Sequence, residues 1–97
     1  MVLQSRVNQW QRQTFPNATV AGAVIHMERE LEELRTAVAH SHAPAIQEEL
    51  ADVVLLAMGC AGILGFDLME AVEAKFLQNQ KRSWQEPDSE GVVEHIR

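Results

Sequence analysis

Four carboxylates recur at helical spacing through the middle of this chain: Glu30 and Glu33 in the run Glu-Leu-Glu-Glu, and Glu49 and Asp52 in the run Glu-Leu-Ala-Asp. A three-residue step puts both carboxylates of each pair on one helical face. Two such helices packed side by side would direct all four into one space. Carboxylates at close range do not all stay ionised without cations between them. An all-oxygen cluster suits hard divalent cations, Mg²⁺ or Mn²⁺, which are usually shared with a phosphate. The chemistry these residues point to is metal-assisted attack on a phosphate chain.

Positioning the two pairs requires helices, and the apolar periodicity predicts four. Leu3, Val7 and Trp10 predict a short amphipathic helix over about residues 3 to 13, which Phe15-Pro16 ends. Asn17 or Thr19 suits the cap of a second helix, about 18 to 40. Its core stripe is Val20, Val24, Met27, Leu31, Leu34 and Val38, and Ala23, His26, Glu30, Glu33 and Ala37 run beside it. Pro44 fits the first turn of a third helix, about 45 to 63, with Ser41 to Ala43 as candidate caps. Leu50, Val53, Val54, Ala57, Met58, Ala61 and Leu64 form its apolar set; Glu49, Asp52 and Leu56 form the adjacent stripe. The small residues from Ala57 to Gly62 predict close approach of another helix. Gly65 suits the end of that helix. Asp67-Leu-Met-Glu70 reads as a capping box, opening a fourth helix that runs to about residue 82. Leu68, Ala71, Val72 and Phe76 are its expected core face, and Lys75, Asn79 and Arg82 share another. From Ser83 onward the composition is polar and turn-rich, without a hairpin signal. The expected fold is all-α: an antiparallel bundle of about four helices, in a single domain over residues 1–97 with 83–97 as a less regular tail.

With 97 residues and 46% hydrophobic composition, one domain of this size buries a core only marginally by itself. Part of its apolar surface is therefore expected to need a partner subunit. A net charge of −6 and a pI of 5.1 argue against binding a nucleic-acid polymer. They leave a nucleotide substrate open, because bound cations reverse the local sign. The one cysteine, Cys60, suits a reducing compartment and a core position. The N-terminal run lacks a signal layout. The apolar stretch from Val53 to Phe66 is too short to span a membrane as a helix. The expectation is a cytoplasmic protein without membrane contact. His40 and His42 read as loop residues, and Met27, Met58 and Met69 as core filler.

The ordered set Glu30-x-x-Glu33, Glu49-x-x-Asp52 and Lys75-x-x-x-Asn79-x-x-Arg82-x-Trp84 resembles the MazG-like all-α nucleoside triphosphate pyrophosphohydrolases. The likeness covers roughly residues 10 to 95 in order, spacing and helical setting. Within the superfamily the chain is most similar to the dATP/dGTP pyrophosphohydrolase-like group, through Trp10, Phe15-Pro16, His26, Asn79 to Trp84 and the tail Gly91-Val-Val-Glu-His95. The resemblance implies hydrolysis of a (deoxy)nucleoside triphosphate, purine dNTP favoured, between the α- and β-phosphates. Glu30, Glu33, Glu49 and Asp52 would hold Mg²⁺, or Mn²⁺, and one of them, Glu33 being a candidate, would orient or deprotonate water. Lys75 and Arg82 would meet phosphate charge, and Asn79 a sugar or phosphate. His26 and Trp84 are further candidates at the substrate, while Trp10 and Trp84 are each open to base stacking or to packing. The resemblance also implies a homodimer or homotetramer. A phosphoribosyl-ATP pyrophosphohydrolase and a non-catalytic helical dimerisation module stand as alternatives.

Overall fold

The computed structural model describes residues 2–96. They form α1 (Val2–Thr14), α2 (Val20–Ala39), α3 (Ala43–Leu64) and α4 (Leu68–Gln80), so the four expected helices are present in the expected order. Their ends are set by local chemistry. Thr19 caps α2, its Oγ1 accepting from the Gly22 amide at 3.0 Å. His42 caps α3, its Nδ1 accepting from the Ala45 amide, with Pro44 in the first turn. Gly65, at φ 82, closes α3 in the left-handed conformation that costs glycine little. Asp67 caps α4 through the Glu70 amide.

α2 and α3 pack as a hairpin across the short turn at His40 to His42, and α1 lies along α3. α4 touches α3 only sparsely and leaves it at a bend of 107°. The hydrophobic core within the chain is thin. Among the described residues its buried members are Ala37, Met58 and Ala61, joined by the polar side chains Gln4 and Asn8.

The apolar stripes differ from expectation. On α2, Val24, Leu31 and Val38 are exposed, whereas Val20, Met27 and Leu34 of the expected stripe are half-buried, as are Ala23 and Glu30 beside it, and Ala37 is buried. On α1, Leu3 and Trp10 are exposed and Gln4 and Asn8 are buried. On α3, Leu50, Val54 and Leu64 are exposed. On α4 no described residue is buried, and Val72 and Phe76 stand 48% and 58% exposed. Periodicity identifies an apolar face but not its cover, and within the single chain these faces are left uncovered. Met58 is buried as expected; Met27 is half-buried, and Met69 is exposed.

The tail differs as well. Trp84 and His95 pair as an antiparallel bridge, with Gln85 donating to the Glu94 carbonyl and Ile96 to the Ser83 carbonyl. Asp88 Oδ1 gathers the Glu90 and Val92 amides, and Gly91 takes φ 81 at the turn. The less regular tail makes a hairpin-like return where no hairpin signal was read, held by a side-chain turn that alternation of apolar residues does not announce. No single helix is long and apolar enough to cross a membrane.

Candidate active site

The α2–α3 hairpin brings the two acidic pairs together. One carboxylate oxygen from each of Glu30, Glu49 and Asp52 lies within 4.8 Å of the others. The spacing follows from the sequence: Glu30 sits on the small-residue stripe of α2 between Ala23 and Ala37, and that stripe lies against α3. Glu30 and Glu49 are half-buried, and Asp52 is exposed. Glu33, one turn further along α2, is exposed and lies outside the three-carboxylate cluster, although its charge reaches Glu49.

The electrostatics of this cluster are those of acids facing acids. Glu30 Oε2 and Glu49 Oε2 are shielded from solvent and receive no hydrogen bond from the protein. Contact with Glu30, reinforced by burial, pushes the Glu49 carboxyl up to about 7. The same contact holds Glu30 below the usual carboxylate range, with smaller help from Glu33 and His26. The two side chains behave as one proton-sharing pair. His26 Nε2 stands 3.1 Å from Glu30 Oε1 and orients that carboxylate from one helical turn away.

A divalent cation fits this donor set. Two shielded oxygens without donors and a third carboxylate within reach form the all-oxygen environment that Mg²⁺ and Mn²⁺ take.

Lys75, Asn79 and Arg82 occupy α4. Arg82 Nη1 donates to Asn79 Oδ1 at 3.3 Å, and Trp84 Nε1 donates to the Asn79 carbonyl at 3.0 Å. Among the described residues no hydrogen bond or ion pair joins this group to the carboxylates. Trp84 stacks edge-on against His95, and Trp10 edge-on against Phe15 at 5.4 Å between centroids.

Beside the acidic cluster lies a cleft of about 910 Å³ between α1, the N-terminal half of α2 and α3. His26 and Leu56 line it, each one helical turn from an acidic residue, Glu30 and Asp52 respectively. Asn8, Gln11 and Arg12 reach it from α1. The sequence reading did not single out these α1 residues. Their signal is present as the spacing Gln4, Asn8, Gln11, a polar stripe beside the expected apolar one.

The profile of the dATP/dGTP pyrophosphohydrolases matches residues 3–97. The chain belongs to this family. It is 35% identical over 94 residues to a dATP/dGTP diphosphohydrolase of Cyanophage S-2L, covering 97% of this chain and 85% of that protein. It is 34% identical over 94 residues to a dATP/dGTP diphosphohydrolase of Salmonella phage PMBT28, where it spans 97% of its own length but 30% of the relative's. The fold matches, with a TM-score of 0.75 and 33% identity, a Cyanophage S-2L MazG-like pyrophosphohydrolase bound to dGDP and three catalytic Mn²⁺ ions per active site. That match covers 98% of this chain and 94% of the other. The family and fold make this chain a MazG-like hydrolase of phosphoric anhydrides.

Proposed function

We propose that the chain hydrolyses a purine deoxynucleoside triphosphate between its α- and β-phosphates, releasing the monophosphate and pyrophosphate, with Mg²⁺ or Mn²⁺. The observation that carries this reading is the meeting of Glu30, Glu49 and Asp52 oxygens within 4.8 Å, in a chain of the dATP/dGTP pyrophosphohydrolase family.

The chain's own residues divide the work. Glu30, Glu49 and Asp52 would hold divalent cations, and Glu33 adds its charge at the edge of the cluster. Cations held there neutralise phosphate oxygens and make water a better nucleophile. His26 fixes Glu30 and so the direction of its free oxygen. Glu33, exposed beside the cluster, would be a candidate to take the proton of an attacking water. Lys75 and Arg82 supply positive charge for the phosphates, and Asn79 a donor and acceptor. Because α4 projects away from the hairpin, these three would complete the site from a second copy of the chain. The working unit in this reading is a homodimer or a dimer of dimers.

Mn²⁺ with a purine dNTP should raise the melting temperature of the wild-type chain by mass action. Glu49→Gln and Asp52→Asn should lose most of that shift and all pyrophosphate release. No shift at millimolar concentrations, or full activity in both variants, would sink the assignment.

A further inference from the structure

The three amide side chains of α1 form a chain of hydrogen bonds whose direction is fixed at every link. Gln4 Oε1 accepts from the Leu68 amide at 2.7 Å, and Gln4 Nε2 donates to the Phe66 carbonyl at 2.9 Å and to Asn8 Oδ1 at 3.3 Å. Asn8 Nδ2 donates to the Met58 carbonyl at 2.9 Å and to Gln11 Oε1 at 3.1 Å. Gln11 Nε2 donates to the Leu55 carbonyl at 3.1 Å. A backbone carbonyl only accepts and a backbone amide only donates, so none of the three side-chain amides can flip.

Bond capacity then separates the last link from the others. Both hydrogens of Gln4 and both of Asn8 are taken. Gln11 has spent one of its two hydrogens and one of its two oxygen lone pairs, leaving one donor and one acceptor unused. Gln11 lines the cleft, and its amide lies directly against Gly59, which lines the cleft beside it. A Cβ at Gly59 would stand 3.1 Å from Gln11 Nε2, so the bare helix surface is what lets the amide lie there. The cleft reaches the acidic cluster through His26, whose ring contacts Glu30.

We propose that Gln11 reads the edge of the substrate's nucleobase and sets the preference between adenine and guanine; this rests on the nucleotide reading of the acidic site. A cleft of this size accommodates a nucleoside, and Phe15, Leu56 and Ile63 give it apolar walls for a flat ring. Adenine offers an amino hydrogen beside a ring nitrogen and guanine a carbonyl oxygen beside a ring N–H, the same pair reversed, so an amide held in one orientation suits one purine and opposes the other in a common pose. Gln4 and Asn8 are positioning residues: they hold the order of donor and acceptor and do not meet the base.

The test compares kcat/KM for dATP and dGTP in the wild type, Gln11→Glu and Gln11→Met, with a thermal melt of each to confirm folding. A carboxylate has no donor for the adenine ring nitrogen, whereas guanine offers it two adjacent N–H donors. Gln11→Glu should therefore move the dGTP/dATP ratio toward dGTP by about tenfold or more. Gln11→Met keeps length but loses both polar groups, and should bring the two substrates toward equal, lower efficiency. A ratio unchanged in folded forms of both variants would overturn the inference while leaving the nucleotide reading intact. A wild-type chain that turns over neither substrate would remove that reading and the inference with it.

Discussion

A glutamate in an unfolded chain loses its proton near 4.5, whereas Glu49 in the folded chain keeps it to about 7. Between those values the native state holds a proton that the unfolded state has released. Its stability from this group therefore falls as pH rises from about 4.5 to about 7. Glu30 runs the other way, its folded value being lowered, so its contribution is present above 4.5 and is lost as pH falls through the folded value. Metal-free protein followed by thermal melting should lose stability as pH rises toward 7. Glu49→Gln should remove that slope, and Mg²⁺ should reverse it, because cation binding requires the ionised pair. An identical slope in Glu49→Gln would place the titration elsewhere. At this scale the sequence carried much of the geometry: the three-residue spacing and the antiparallel hairpin suffice to bring Glu30, Glu49 and Asp52 together. The different setting of Glu33 was not readable, because a three-residue step equalises two positions that packing then divides into half-buried and exposed.

Two glycines on α3 decide how closely α1 approaches. A Cβ at Gly62 would meet the Asn8 side chain at 2.5 Å, inside any real contact, while one at Gly59 would meet Gln11 at 3.1 Å. Alanine gains about 1 kcal/mol over glycine in a helix interior, against about 1–3 kcal/mol for overpacking. Gly62→Ala should lower the melting temperature, since Asn8 is pinned between the Met58 carbonyl and Gln11 and cannot yield without breaking both bonds. Gly59→Ala should be close to neutral, because Gln11 is nearer the surface. Equal effects at the two sites would contradict the close approach described. The small-residue run from Ala57 to Gly62 announced a neighbouring helix, and one is there. That the neighbour presents amides rather than Leu3 and Trp10 was hidden, because apolar periodicity ranks faces by hydrophobicity and takes no account of backbone carbonyls that amide side chains can bind.

The accessible surface of the chain is 7566 Å², against roughly 5,600 Å² for a folded monomer of this mass. Its radius of gyration is 15.7 Å, where a compact domain of 100 residues has about 13 Å. The excess, roughly 2,000 Å², is of the size that one partner loses in a large obligate interface, and it is carried by the faces expected to be core: Val24, Leu31 and Val38 on α2, Val72 and Phe76 on α4. Light scattering at micromolar concentration should therefore give a dimer or larger, and Phe76→Asp should shift it toward monomer with loss of activity; a monomeric wild type would defeat the shared site. The helix count, order and caps were readable because they are local, whereas which apolar faces are buried within the chain depends on tertiary packing that periodicity does not display. The decisive measurement is the product of the reaction. Wild-type chain with Mg²⁺ or Mn²⁺ and dATP or dGTP should release deoxynucleoside monophosphate and pyrophosphate in equal amounts. Release of single phosphates with a diphosphate product, or no turnover of either purine triphosphate, would contradict the account.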